Sequence, residues 1–293
     1  MRVRDRIGIW LAWPSGPALA VLPAILLALV CTAGAASAAP ARVVSMNVCT
    51  DQMAMLVAAD GQLRSVTHLA TDPQTSAMVD EAKAFPVNHG LAEEIFLMRP
   101  DLVLAGTYTA TATVNLLQNL GIRVELFDPV NTFADVREQI VRVGKLLGRE
   151  GRAAEVVAEL DSGLKELATS SSGVTALGWS SNSYATGAGT FTDEVMKVAG
   201  LTNIAAREGI QGGARVPLET LLAAKPDLIV TGSENYQRPA MAQDNFIHPA
   251  FRAYVAGGKE VSVPDKYWVC GAPFSLEAVR ILRTAAEATG AAR

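Results

Sequence analysis

The chain contains one phrase twice, and this repetition constrains its fold more than any other feature. The first copy reads EEIFLMRPDLVLAG over residues 93–106, and the second reads ETLLAAKPDLIVTG over residues 219–232. In each copy a glutamate, Glu93 or Glu219, stands eight residues before the aspartate of a Pro-Asp pair. The offset of 126 residues is too long for a solenoid, whose repeats recur every ~20–50 residues. The repetition therefore predicts two similar lobes with a cleft between them.

Residues 1–38 have the pattern of an export signal. Three arginines among the first six residues precede an apolar stretch, and residues 36–38 form an A-x-A cleavage site. The alternative is a membrane anchor, but the uninterrupted apolar run after Pro23 falls short of the ~20 residues that a span needs. A lipoprotein site at Cys31 is less favoured because the bulky Val30 precedes it. We expect cleavage after Ala38 and a periplasmic location.

Charge and motifs narrow the function classes. Removal of residues 1–38 leaves 22 of the 25 basic and 28 of the 29 acidic side chains, a net charge of −6. No run of Lys and Arg marks a nucleic-acid surface. No second apolar run of ~18 residues follows, so we expect a soluble mature protein. The nucleophile elbow, the H-E-x-x-H motif and the C-x-x-C motif are all absent, and we expect no enzyme.

Strand-like and helix-like segments alternate along residues 39–131, which we assign to an N-terminal lobe. The predicted strands are residues 42–46, 63–68, 101–105 and 123–127, and the predicted helices are residues 51–59, 76–84, 92–98 and 112–120. Such alternation is typical of a parallel sheet covered by helices. The fold class is therefore α/β, with Rossmann-like lobes.

A helical connector is predicted over residues 132–169. Its first helix begins with Thr132 as the N-cap and ends at Gly148, and its second runs over residues 150–168. The absence of a Pro- or Gly-rich linker indicates a rigid connector.

The second lobe, residues 170–293, repeats the plan. Its predicted strands are residues 174–178, 203–206, 228–231 and 260–263, and its predicted helices are residues 192–199, 218–224, 249–256 and 275–288. A second short repeat supports the duplication, because Thr50-Asp51 and Thr192-Asp193 each follow the first strand of their lobe. We expect both threonines to be helix N-caps.

The order of these segments resembles the helical-backbone class of periplasmic solute-binding proteins. The residues that carry the resemblance are RVVSMN, LAEEIFLMRPDLVLAG, LGIRVELFDP, GAGTFTDEVMKVAGLTNIA and VPLETLLAAKPDLIVTG. The resemblance covers essentially all of residues 42–290. It implies a receptor of an ABC importer for iron–siderophore complexes, haem or cobalamin. It also implies that Glu93 and Glu219 dock onto arginines of the membrane permease, and we expect the receptor to be a monomer.

Ligand contacts are expected where the strands end, because open parallel sheets bind ligands outside the carboxyl ends of their strands. Aromatic and hydrogen-bonding side chains gather there, as a planar or greasy chelate requires. The candidates are Asn47, Cys49, His68, His89, Tyr108, Trp179, Tyr184, Arg207, Tyr236, Trp268 and Cys270.

Three points stay open in the sequence. His68 and His89 are candidates for cleft contact or metal ligation, whereas His248 is expected to cap or pack a helix. Cys49 and Cys270 form a disulfide, ligate metal or are simply buried. The cargo is expected to be an iron–siderophore or, next, a corrinoid. The alternatives are a receptor for a bare transition-metal ion and an exported thiol-dependent enzyme.

Overall fold

The first lobe is built on a five-stranded parallel sheet. The structure, a computed structural model, describes residues 38–168, 171–232 and 241–291. The strands run in the spatial order β3-β2-β1-β4-β5. They are β1 (Val43–Ser45), β2 (Leu63–Thr67), β3 (Val87–Asn88), β4 (Leu102–Gly106) and β5 (Val124–Phe127). The helices between them are α1 (Val48–Val57), α2 (Val79–Ala82), α3 (Ala92–Leu97) and α4 (Thr111–Asn119).

Two helices connect the lobes, α5 (Phe133–Leu147) and α6 (Glu150–Leu167). Thr132 and Asp135 form a capping box at the start of α5, and Gly148 ends it in the left-handed conformation at φ 65°. A Cβ on Gly144 would overlap the methyl group of Ala153, so the glycine allows close packing of the two helices. The predicted Thr132 cap and the break at Gly148 are confirmed.

The second lobe has a mixed six-stranded sheet. Strands β6 (Thr175–Ser180), β8 (Thr202–Asn203), β10 (Leu228–Thr231) and β11 (Glu260–Ser262) are parallel in the order β8-β6-β10-β11. Strands β7 (Tyr184–Thr186) and β9 (Gly213–Arg215) extend the sheet in antiparallel pairing from the end of β6. Its helices are α7 (Phe191–Val198), α8 (Ile204–Arg207), α9 (Leu218–Ala224), α10 (Asp244–Ile247), α11 (Pro249–Val255) and α12 (Leu276–Ala291).

The repeated phrase folds the same way in both lobes, down to its backbone strain. Arg99 and Lys225 both adopt φ 49°, and each precedes the proline of a Pro-Asp pair. A residue before proline is disfavoured in the right-handed helical region. The left-handed conformation ends the helix and turns the chain into the next strand, at a cost of about 1–3 kcal/mol for a residue other than glycine.

The aspartates of the repeated phrase also have matching partners. The Asp101 carboxylate accepts hydrogen bonds from the backbone amides of Ala41 and Arg42, both at 2.9 Å. The Asp227 carboxylate accepts one from the amide of Thr175 at 2.8 Å. Each aspartate thus ties the start of the phrase's strand, β4 or β10, to the start of its lobe's first strand. The two-lobed α/β prediction is confirmed.

A single apolar core runs through both lobes and the connector. Strand residues such as Val43 and Leu104 share it with Ile140 and Leu160 of the connector and Val230 of the second lobe. Alternate strand residues face outward into a separate cluster on each lobe. Because the lobes share one core, residues from Ala39 onward form one compact unit, which agrees with a rigid connector.

Several local predictions are wrong. Helix α1 begins earlier than predicted with Asn47 as its N-cap, and α7 is capped by Thr190, so Thr50 and Thr192 lie within first turns. The strand predicted over residues 203–206 is only β8, after which α8 begins. Strands β3, β7 and β9 were not predicted because each spans only two or three residues and shows too little alternation to detect.

The predicted export signal, residues 1–38, lies outside the described residues except for Ala38. Among the described helices, none combines the length and the apolar character that a membrane span needs.

Candidate ligand-binding groove

A groove opens where the parallel strands of the first lobe end. Asn47 follows β1, Thr107 and Tyr108 follow β4, and Asp128 follows β5. All of them line a cavity of about 200 Å³, which is also lined by Val269 and Gly271 of the second lobe and by Gln139 of the connector. The cavity therefore lies between the lobes. Met53, Phe127, Pro129 and Val130 give it an apolar wall.

A disulfide crosses this groove. Cys49, in the first turn of α1, is bonded to Cys270 of the second lobe, with their Cα atoms 5.1 Å apart. Both residues line the cavity. Of the three states open from the sequence, the structure thus has the disulfide. Because the sulfurs are bonded to each other, neither is free to ligate a metal or to act as a nucleophile.

Asn47 has a structural role beside the disulfide. Its side-chain oxygen accepts hydrogen bonds from the amides of Cys49 at 2.9 Å and Thr50 at 3.4 Å. A Cβ on Gly106 would lie 3.1 Å from the Asn47 amide nitrogen, so the side chain is held from both sides. Asn47 therefore positions the cysteine that joins the lobes.

Three of the five candidate aromatic residues, Tyr108, Tyr184 and Trp268, differ in exposure. Tyr108 is 88% exposed on the wall of the cavity. Tyr184 opens β7 and is half-exposed at 48%. Trp268 is partly buried against the shared core, and its indole nitrogen lies 3.4 Å from the Asp265 carboxylate.

Trp179 does not belong to the groove. It is 1% exposed, packs against Phe246 and Phe251, and donates its indole N–H to the Val216 carbonyl at 3.0 Å. The prediction of ligand contact is wrong for this residue, because its side chain faces the outer cluster of the second lobe. A tryptophan at a strand end gives the sequence no sign of which face it takes.

Of two further candidates, Arg207 does not line the cavity, and the other is not placed by the structure. Arg207 ends α8, is exposed and lies 3.4 Å from the Glu208 carboxylate. Tyr236 lies outside the described residues.

The three histidines differ in their surroundings. The exposed rings of His68, after β2, and His89, after β3, are stacked with their centroids 5.3 Å apart. His248 caps α11, where its Nδ1 accepts the Ala250 amide at 3.2 Å, which confirms its helix-capping role.

Glu93 and Glu219 occupy equivalent places. Each is the second residue of its helix, α3 or α9, and each is exposed. Around Glu93 the surface is apolar, because Leu91 and Leu97 are 58% and 78% exposed.

Two buried carboxylates, Asp51 and Asp193, lie in the first turns of α1 and α7. Asp51 Oδ2 accepts hydrogen bonds from the Thr67 hydroxyl at 2.6 Å and the Thr67 amide at 3.1 Å. Asp193 accepts one from Asn203 at 3.0 Å and pairs with Lys197 at 2.5 Å. Asp51 is fully buried, and its desolvation raises the pKa of the carboxyl to about 6. The repeated Thr-Asp pair was the sequence signal for these aspartates, although it was interpreted as predicting that the threonines are helix N-caps.

A two-lobed α/β protein with a groove between its lobes is the class that this fold defines. A family model described as periplasmic binding protein matches residues 43–256. The chain belongs to the periplasmic binding protein family.

Known proteins resemble it at low sequence identity. An uncharacterized ABC transporter substrate-binding lipoprotein, YvrC of Bacillus subtilis (strain 168), is 24% identical over 204 residues, which is 66% of this chain and 63% of that relative. The periplasmic heme-binding protein RhuT from Roseiflexus sp. RS-1, in apo form, superposes with a TM-score of 0.67 at 18% identity. The periplasmic vitamin B12 binding protein BtuF of Vibrio cholerae superposes with a TM-score of 0.64 at 18% identity. Both superpositions cover 85% of this chain and 98% of the other.

Proposed function

We propose that this protein captures a metal chelate in the interlobe groove and delivers it to the permease of an ABC importer in the inner membrane. The observation that carries the proposal is the cavity between the lobes, with an apolar wall, the exposed Tyr108 along its lining and a few polar anchors. Ligand pockets generally combine a largely apolar surface with a few polar groups that fix orientation. The protein does so as a periplasmic monomer, released from its signal peptide.

The cargo we favour is an iron–siderophore, and a corrinoid comes next. At about 200 Å³, the cavity is smaller than the ~300–1,000 Å³ typical of pockets for whole ligands. A chelate would therefore place one apolar part in the cavity and lie across the rest of the strand-end edge. The names of the two structural neighbours mention haem and vitamin B12, which are both metal chelates.

The test is a fluorescence titration that the chain makes unusually easy to read. After cleavage at Ala38 only Trp179 and Trp268 remain of the four tryptophans, and Trp179 is buried in the second lobe. A ferric siderophore or corrinoid at the groove is expected to quench Trp268. The Trp268→Phe variant should lose most of the response, and Trp179→Phe should retain it.

Opposite results separate the alternatives. Tight binding of Zn²⁺ or Mn²⁺ in chelator-free buffer, with no response to chelates, would establish a receptor for bare ions. If Tyr108→Ala, Tyr184→Ala and Trp268→Ala all bind chelates as the wild type does, the placement of the groove is wrong. Mass and absorption spectra of the material that copurifies from the periplasm would identify the cargo.

A further inference from the structure

The two exposed histidines of the first lobe stand on rigid supports. His68 directly follows Thr67, which Asp51 holds from within the core. His89 directly follows Asn88, a fully buried residue whose amide nitrogen lies 2.9 to 3.0 Å from three acceptors on β1 and β2. The ends of β2 and β3 are therefore fixed relative to each other, which sets the spacing of the two backbone positions that carry the imidazoles.

Glu94 braces one of these rings. Its carboxylate accepts the His89 backbone amide at 2.7 Å, and its second oxygen lies 3.4 Å from His89 Nδ1. A carboxylate on one ring nitrogen, leaving the other free, is the arrangement that commonly supports a metal-ligating histidine.

The distance between the rings suits one shared metal ion. With a metal–nitrogen bond of about 2.1 Å, a ring centroid lies about 3.2 Å from the metal. Two such rings are then about 4.5 Å apart at a right angle and about 5.2 Å apart at a tetrahedral angle. The observed spacing of 5.3 Å matches the second value. The rings are stacked at present, and rotation about χ2, a soft torsion in histidine, turns their nitrogens towards a common point.

We infer that His68 and His89 together ligate the metal of the cargo, so that the favoured cargo is a chelate whose chelator leaves two adjacent coordination positions open. This inference rests on the proposed function. Two imidazoles supply two donors, whereas first-row metals take four to six. The remaining donors come from the chelator. A ferric siderophore that already fills all six positions would gain nothing from the pair.

The geometry of the sheet lets one ligand reach both places. His68 and His89 follow β2 and β3, whereas Asn47 at the cavity follows β1 of the same edge. Neighbouring strands are about 4.8 Å apart, so the pair begins about 5–10 Å from the cavity. A chelate with its metal on the histidines can therefore place an apolar arm in the cavity.

The experiment compares two nickel complexes on the untagged mature protein. Nitrilotriacetate fills four positions of Ni²⁺ and leaves two adjacent ones open, whereas ethylenediaminetetraacetate fills all six. Calorimetric titration is expected to show binding of the first complex and none of the second. His68→Gln and His89→Gln should each weaken binding at least about 10-fold. His248→Gln is the matched control, since it removes the third and last histidine. It should leave the affinity for the nickel nitrilotriacetate complex unchanged.

A second measurement links the pair to the cargo itself. Ferric complexes of a bis-catecholate, which leaves two positions open, and a tris-catecholate, which leaves none, are titrated by tryptophan fluorescence. Preference for the bis-catecholate that disappears in His68→Gln and His89→Gln supports the inference. If both variants bind the two complexes equally well and as tightly as the wild type does, the inference is overturned and the proposed function stands. If the wild type binds no chelate at all, both proposals fail.

Discussion

Removal of the Cys49–Cys270 disulfide should destabilise the protein more than any other single change outside its core. The bridge joins residues 221 positions apart, so it removes a large loop-closure entropy from the unfolded chain. The chain-entropy relation gives about 5 kcal/mol for a loop of this length. That is a large share of the ~5–15 kcal/mol by which proteins of this kind are stable.

The assay is urea unfolding of Cys49→Ala/Cys270→Ala beside the wild type. Because one core spans both lobes, we expect a single transition in each. With a urea dependence of about 3 kcal/mol/M, the midpoint should fall by about 1.5–2 M. The single variants Cys49→Ala and Cys270→Ala, with the free thiol blocked, are the controls and should match the double variant.

Kinetics decide whether the reasoning is right. A bridge that acts on the unfolded chain changes mainly the refolding rate, since the long loop must then close during folding. We expect slower refolding and a nearly constant unfolding rate in the double variant. A midpoint equal to that of the wild type, or a loss carried wholly by faster unfolding, would refute the entropic argument.

Three other outcomes are expected. The folded state favours protonated Asp51, whose pKa is about 6 against an ordinary 3.8, so this group should cost the wild type up to ~3 kcal/mol as the pH rises from about 4 to about 6. In Asp51→Asn that component should vanish from urea midpoints measured at pH 4.5 and 7, and an unchanged pH dependence would contradict it. Glu93→Arg combined with Glu219→Arg should abolish uptake in a transport assay but leave chelate affinity nearly unchanged, because charge repulsion acts only at the permease. The control is Glu150→Arg, which changes an exposed first-turn glutamate of α6. Loss of chelate binding with normal permease association would be the opposing result. Small-angle scattering of free and loaded protein should show only a small rotation of the lobes, since a helical connector resists large dihedral changes, and a strong change of the profile would argue for wide closure.

The sequence by itself determined the α/β class, the duplication and the family resemblance. Each of these depends on patterns that repeat over ten or more residues. Glu93 and Glu219 could be matched because their positions relative to the Pro-Asp pair are local. The Thr132 cap and the Gly148 break were likewise predictable, since capping depends on neighbours within one turn.

Only the tertiary structure decided which side chains meet. Cys49 and Cys270 come together because the two lobes are folded onto one connector, and no local pattern records that distance. Trp179 faces the outer apolar cluster of the second lobe, because a one-residue change of phase in a strand moves a side chain to the opposite face. His68 and His89, twenty-one residues apart in the chain, became neighbours because β2 and β3 pair in parallel and end at the same edge of the sheet.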